Sequence, residues 1–205
     1  PEKLKELQAL YLEQANDNKD FPIGAGIWLR LHPEDAIASP YKSWVFNQNT
    51  YGMPEFSAPG LGKKSNKVEI DLEVGANASG VIYALGGSGG GLTCFMENGK
   101  LVYEYNMMLI ENYSVDTKEK LAPGKHHIII TTQIAKPFAP AAVNINIDGK
   151  DAASCTVNRT VPAAFSANES FDVGRDLGAP VSLRYAKKAP FLFNGKISKV
   201  KVDLQ

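Results

Sequence analysis

The stretch Glu69-Ile70-Asp71-Leu72-Glu73 holds the residue types that acid–base chemistry requires. On a β-strand the side chains at i, i+2 and i+4 share one face, and neighbouring members lie roughly 6 to 7 Å apart at their Cα atoms. Retaining cleavage of a glycosidic bond needs two carboxyl groups about 5 to 5.5 Å apart, with a third nearby to tune proton affinity. Glu69, Asp71 and Glu73 can supply that set. The same acids also make an ordinary solvated strand face if lysines on adjacent strands balance them.

Other reactive side chains form weaker patterns. His126 and His127 are adjacent, so on a strand they face opposite ways and cannot chelate one ion together; with His32 they make no ligand set, and no metal site is expected. Cys94 and Cys155 sit in strand-like segments and read as small buried hydrophobes. Gly86-Gly87-Ser88-Gly89-Gly90 has the letters of a nucleophile elbow, but an elbow must lead from strand to helix, and Leu92-Thr93-Cys94-Phe95 continues as strand. The same glycines lack the Gly-Lys-Ser/Thr ending of a phosphate loop and read as a tight connection. Trp28 and Trp44 are the candidates for stacking on sugar rings. Sequons stand at Asn77, Asn112, Asn158 and Asn168.

These groups must be positioned by short strands. Residues 3 to 15 place Leu4, Leu7, Leu10 and Tyr11 at helical spacing, and Asn16-Asp17-Asn18 stops that helix. From there to Gly62 proline and glycine recur, leaving room for one short strand at 41–46. Val68, Ile70, Leu72 and Val74 then alternate with charged residues, the period of a half-buried strand. Further strands are predicted at 80–86, 92–97, 100–105, 107–115, 126–132, 143–147 and 150–157. Asn98-Gly99 and Asp148-Gly149 supply the positive φ angles of tight hairpin turns. A last strand carries Phe191, Phe193, Ile197, Val200, Val202 and Leu204, and the odd step from 197 to 200 predicts a bulge near Ser198-Lys199. Many short strands with no helical pattern between them point to an all-β, two-sheet antiparallel β-sandwich with one N-terminal helix.

The 205 residues carry 22 basic and 22 acidic side chains, 44% apolar composition and 2 Cys. Net charge near zero, with no basic block, argues against nucleic-acid binding. No apolar run approaches the ~20 residues of a helical membrane span. The opening Pro1-Glu2-Lys3 reads as the start of a piece cut from a longer polypeptide.

Two ordered segments carry a resemblance. The run from Gly86 through Asn98-Gly99-Lys100-Leu101-Val102-Tyr103-Glu104-Tyr105-Asn106, and the run Arg159-Thr160-Val161-Pro162 through Phe171-Asp172-Val173-Gly174-Arg175-Asp176 to Pro190-Phe191-Leu192-Phe193-Asn194-Gly195-Lys196-Ile197, resemble the C-terminal region of bacterial arylsulfatases. Leu92 stands where that family has Trp. The resemblance implies a jelly-roll, concanavalin A-like or laminin G-like sandwich over 21–205, with residues 1–20 as the linker helix from a catalytic domain. It implies a non-catalytic accessory domain packing against that domain, and a periplasmic or secreted location. The parent would be a sulfuric ester hydrolase using formylglycine and Ca²⁺. Its Cys/Ser-x-Pro/Ala-x-Arg motif is not in this chain, since Cys155-Thr156-Val157-Asn158-Arg159 has Val at the central position, so no catalytic residue carries over and no cofactor is expected here. Separately, Glu69-Ile70-Asp71-Leu72-Glu73 resembles the acidic strand of laminarinase- and lichenase-type glycoside hydrolases, which are also jelly rolls. The order His-x-Ile, Ile-x-Ile-Asp-Gly-Lys and Phe-x-Gly-Lys-Ile likewise resembles laminin G-like or concanavalin A-like sandwiches, which bind glycans or proteins. Three readings follow: a sulfatase accessory domain, a carbohydrate-binding module, and a glycosidase.

Overall fold

The computed structural model describes residues 2–20 and 40–205. They fall into two units, Pro1–Lys42 and Ser43–Gln205. The first holds helix α1, Glu2–Asp17, two residues longer at its C-terminus than its apolar spacing implies. Lys19 adopts a left-handed φ of 61° just after it, and the Lys19 ammonium lies 4.9 Å from the Tyr41 ring centroid.

The second unit is the expected sandwich. Its twelve strands are β1 Ser43–Phe46, β2 Met53–Pro54, β3 Asn66–Val74, β4 Gly80–Gly87, β5 Gly90–Glu97, β6 Lys100–Met107, β7 Glu111–Asp116, β8 Gly124–Ile134, β9 Ala141–Ile147, β10 Lys150–Val157, β11 Ser170–Val173 and β12 Lys196–Leu204. They form two six-stranded sheets, in the orders β1-β12-β3-β8-β9-β10 and β2-β11-β4-β5-β6-β7. Strand pairing is antiparallel throughout both sheets.

The alternation in β3 does what its period requires: Val68, Ile70, Leu72 and Val74 are buried between the sheets while Lys67, Glu69, Asp71 and Glu73 face outward. Across the core, Phe46 of the first sheet meets Phe171 of the second with ring centroids 4.9 Å apart. Both predicted turns form, with φ of 52° and 78° at Asn98-Gly99 and 52° and 81° at Asp148-Gly149. The register of β12 against β3 shifts between Ile197 and Lys199, at the predicted bulge.

Two expectations are corrected. The single strand predicted over 107–115 is two strands, because Met108 and Leu109 take left-handed φ angles of 51° and 61° and reverse the chain. Phe191 and Phe193 belong to no long strand. They lie in a strap, residues 174–195, that crosses the outer face of the second sheet. That strap explains why β4, β5 and β6 are buried on both faces. Val181, Tyr185 and Phe191 of the strap pack on Val81, Ala84, Phe95 and Val102 of the sheet. Tyr185 stacks on Phe191 at 5.3 Å and meets the Phe95 ring edge-on at 5.0 Å. The strap is also held by charge. Arg184 gives two hydrogen bonds to Asp116 (2.7 and 2.9 Å) and two to Glu97 (3.0 and 2.6 Å).

Candidate functional site

The acidic strand and His127 come together on the outer face of the first sheet, with His126 beside them at the strand end. In the register Asp71 stands opposite His127 on one side and Lys199 on the other, and Glu73 stands opposite Lys125 and Lys196. The β9–β10 turn brings Asp148 to the same end. The result is an open depression of about 410 Å³ lined by Asp71, Glu73, Lys125, His126, His127 and Asp148, with Ser198 of the bulge at its edge. The bulge matters here because it bends β12 beside Asp71 and sets Lys199 opposite it.

Asp71, Asp148 and both histidines have partners that fix them. The His127 ring Nδ1 lies 2.6 Å from Asp71 Oδ1, and the Lys199 ammonium donates to Asp71 Oδ2 at 2.9 Å. Lys199 first, then His127, holds the Asp71 carboxyl below its usual pKa. Asp148 accepts the His127 backbone N–H at 2.9 Å and faces His126 Nδ1 at 2.7 Å. The backbone bond is the larger cause of its lowered pKa. His126 also points Nε2 at the Ala122 carbonyl, 2.7 Å away. Both of its partners are acceptors, an arrangement that favours the doubly protonated imidazolium. Burial pulls the His126 pKa down, but the bonds to the Ala122 carbonyl and to Asp148 together outweigh it, and the pKa ends above the ordinary value.

Two groups keep spare hydrogen-bonding capacity: among the described residues, the Glu73 carboxylate and the Lys125 ammonium have no side-chain partner. The second ring nitrogen of His127, whose side chain is 44% exposed, completes a donor–acceptor set facing solvent.

The predicted site residues divide. Asp71 and Glu73 line the depression. Glu69 lies one step along β3, paired with Lys67, which lowers its pKa. A general acid needs a raised pKa, and the shifts at Glu69 and Asp71 go the other way. Trp44 offers no stacking face: it lies on the same side of β1 as Phe46 and is 7% exposed. Trp28 and His32 lie outside the described residues. His126 and His127 do face opposite ways, since their β3 partners are the buried Leu72 and the outward Asp71. Among the described residues no three His, Cys, Asp or Glu side chains are placed to hold a metal ion, and no helix is long and apolar enough to cross a membrane. Cys94 and Cys155 lie in β5 and β10, and burial pushes both thiols up in pKa. Nothing in the sequence marks Lys125 as a site residue. Asp148 shows there only as a turn residue, and only the register reveals that the turn abuts His127.

No family model matches the sequence, and no curated protein matches it. Among solved structures the chain is similar to the Ruminococcus gnavus IT-sialidase CBM40 bound to alpha2,3 sialyllactose. That match has a TM-score of 0.50 at 12% identity and covers 80% of this chain and 91% of that one. Two further likenesses are to domains LG4-5 of the mouse laminin alpha1 chain and to the botulinum neurotoxin type G receptor binding domain. The laminin match has a TM-score of 0.46, 15% identity and 80% coverage of this chain. The neurotoxin match has a TM-score of 0.46, 10% identity and 68% coverage. The chain spans 39% of the laminin chain and 34% of the neurotoxin chain. At these identities the likeness is one of fold alone, a jelly-roll β-sandwich.

Proposed function

We propose that this chain is a non-catalytic carbohydrate-binding module whose contact surface is the depression at Asp71, Glu73, Lys125 and His127. The observation that carries the reading is the convergence there of free donors and acceptors on a rigid sheet. A sugar diol both gives and accepts hydrogen bonds. Glu73 would accept from one hydroxyl and Lys125 would donate to its neighbour, while His127, whose Nδ1 proton is engaged by Asp71, would accept at Nε2. Asp71 orients the His127 ring and is itself pinned by Lys199, so that ring loses little freedom on binding. The open shape suits a terminal sugar reached from solvent. The absence of an upward-shifted carboxyl at Glu69 and Asp71 supports binding without cleavage. The CBM40 likeness supports the same reading, since that domain holds sialyllactose.

The test is a glycan array followed by calorimetry on the best oligosaccharide. Binding is expected, with His127→Ala and Glu73→Gln each weakening it about tenfold, the worth of one or two lost hydrogen bonds. Failure of every oligosaccharide to bind at millimolar concentration, or unchanged affinity in both variants, overturns the reading.

A second reading is favoured by the ordered motifs at 86–106 and 159–197: that the sandwich is the accessory domain of an arylsulfatase-type hydrolase, with the formylglycine and Ca²⁺ held by residues of another domain. It rests on those motifs alone. A Cys/Ser-x-Pro/Ala-x-Arg motif encoded upstream in the same gene is expected, and its absence removes the attribution.

A further inference from the structure

A different part of the sandwich presents apolar side chains to solvent. Met108, Leu109 and Ile110, the turn between β6 and β7, are 41%, 73% and 65% exposed, and Phe138, in the β8–β9 loop, is 53% exposed. Arg159 joins the two loops. Its guanidinium donates to Glu111 at 2.9 Å, next to Ile110, and lies 5.6 Å from the Phe138 ring centroid. Arg159 thus ties the Phe138 loop to the first residue of β7, next to the 108–110 turn.

Three features show that this surface is built. Met108, Leu109 and Phe138 all take left-handed φ angles, 51°, 61° and 69°, which cost non-glycine residues energy. The first turn is stapled beneath. Asn106, 5% exposed, donates to the Ser88 carbonyl at 3.0 Å and accepts the Leu109 N–H at 2.9 Å. The Met108 and Ile110 N–H groups bond back to Asn106 and Met107, at 3.0 and 2.9 Å. All three tip N–H groups are thus satisfied from within. In the second loop Pro137 and Pro140 have no N–H, and Ala139 donates to Lys136. Pairing its backbone donors lowers what it costs the tip to leave water.

The charges around the tip select the partner. Arg159, just beyond β10, is neutralised by Glu111 at the start of β7, which leaves Lys136 of the Phe138 loop uncompensated among the described residues. Lys64 adjoins Ser65, whose hydroxyl bonds the Ile134 backbone at the root of the Phe138 loop. An apolar tip beside an uncompensated lysine matches an interface of anionic headgroups over acyl chains.

We propose that Met108, Leu109, Ile110 and Phe138 form a membrane-contacting surface that inserts into the interface of an anionic phospholipid bilayer. The glycan depression plays no part in it, so either reading can fail alone. The test is co-sedimentation of the full chain with phosphatidylcholine vesicles, with and without phosphatidylglycerol. Binding is expected to the anionic vesicles and to be weaker with phosphatidylcholine alone. Leu109→Ser with Ile110→Ser, both exposed, should keep the melting temperature and lower the partition coefficient by about tenfold or more. Lys136→Glu should remove the preference for phosphatidylglycerol. No sedimentation with either vesicle, or equal sedimentation of the double variant, overturns the proposal. So does light scattering that finds a dimer returned to monomer by the double variant, because the patch would then belong to a second copy of the chain.

Discussion

Asp176 is the sharpest place to test the physical account of the strap. It is 1% exposed. Its Oδ2 accepts hydrogen bonds from the Tyr185 hydroxyl at 2.6 Å and the Val181 N–H at 2.8 Å, while its buried Oδ1 has no partner. Burial pushes its pKa from 3.8 up to about 6, with Asp172 and Glu169 nearby adding to the rise. A rise of that size corresponds to about 3 kcal/mol between the protonated and ionised forms. Because the folded pKa is raised, this group's stabilisation is fully present below 3.8 and is lost as pH rises through about 6. Asp176→Asn keeps an oxygen to accept from Tyr185 and Val181 but cannot ionise. Urea unfolding of both proteins from about pH 4 to about pH 7 should therefore show the variant gaining on wild type by about 2 kcal/mol as pH rises. A stability difference that stays constant with pH refutes the claim that Asp176 is a costly buried carboxyl.

Other outcomes follow from the same structure. Gly80→Ala should destabilise by roughly 3 kcal/mol, because φ is 111° and a Cβ would overlap the Leu192 carbonyl and the Phe193 Cα; a denaturation midpoint equal to wild type contradicts it. Arg184→Ala should cost only about 1 kcal/mol, since its side chain is 34% exposed and solvent screens it, and should speed hydrogen exchange in the strap; unchanged exchange shows the clasp to be idle. The bonds that fasten His126 should stabilise the fold fully below its unfolded pKa of about 6.5 and fade as pH rises through the higher folded value. An NMR titration of His126 with a pKa below 6.5 would contradict the imidazolium.

Much of the sandwich is legible in local pattern. β3 is a period-two strand because one face is core and the other water, and the Asn-Gly and Asp-Gly turns need only their own φ preferences. The bulge at Ser198 is visible as a phase slip. What stays hidden depends on residues distant in sequence. The alternation of Phe191 and Phe193 looks like a strand because the strap's apolar positions answer to a sheet already formed. Met108-Leu109-Ile110 reads as strand from its side chains, whereas the backbone turns there under the control of Asn106. The strand acids and the histidines are each readable, but their meeting needs the β3–β8 register. Trp44 looks available in the sequence, and only the pairing of β1 shows that its strand face is the core side.

The most direct test of the binding claim is a heteronuclear NMR titration of the full chain with the oligosaccharide that ranks highest on a glycan array. Saturable shifts confined to the amides around Asp71 to Glu73, Lys125 to His127, Asp148 and Ser198 are the predicted result. Shifts centred on another face of the sandwich, or none at millimolar sugar, would contradict the account.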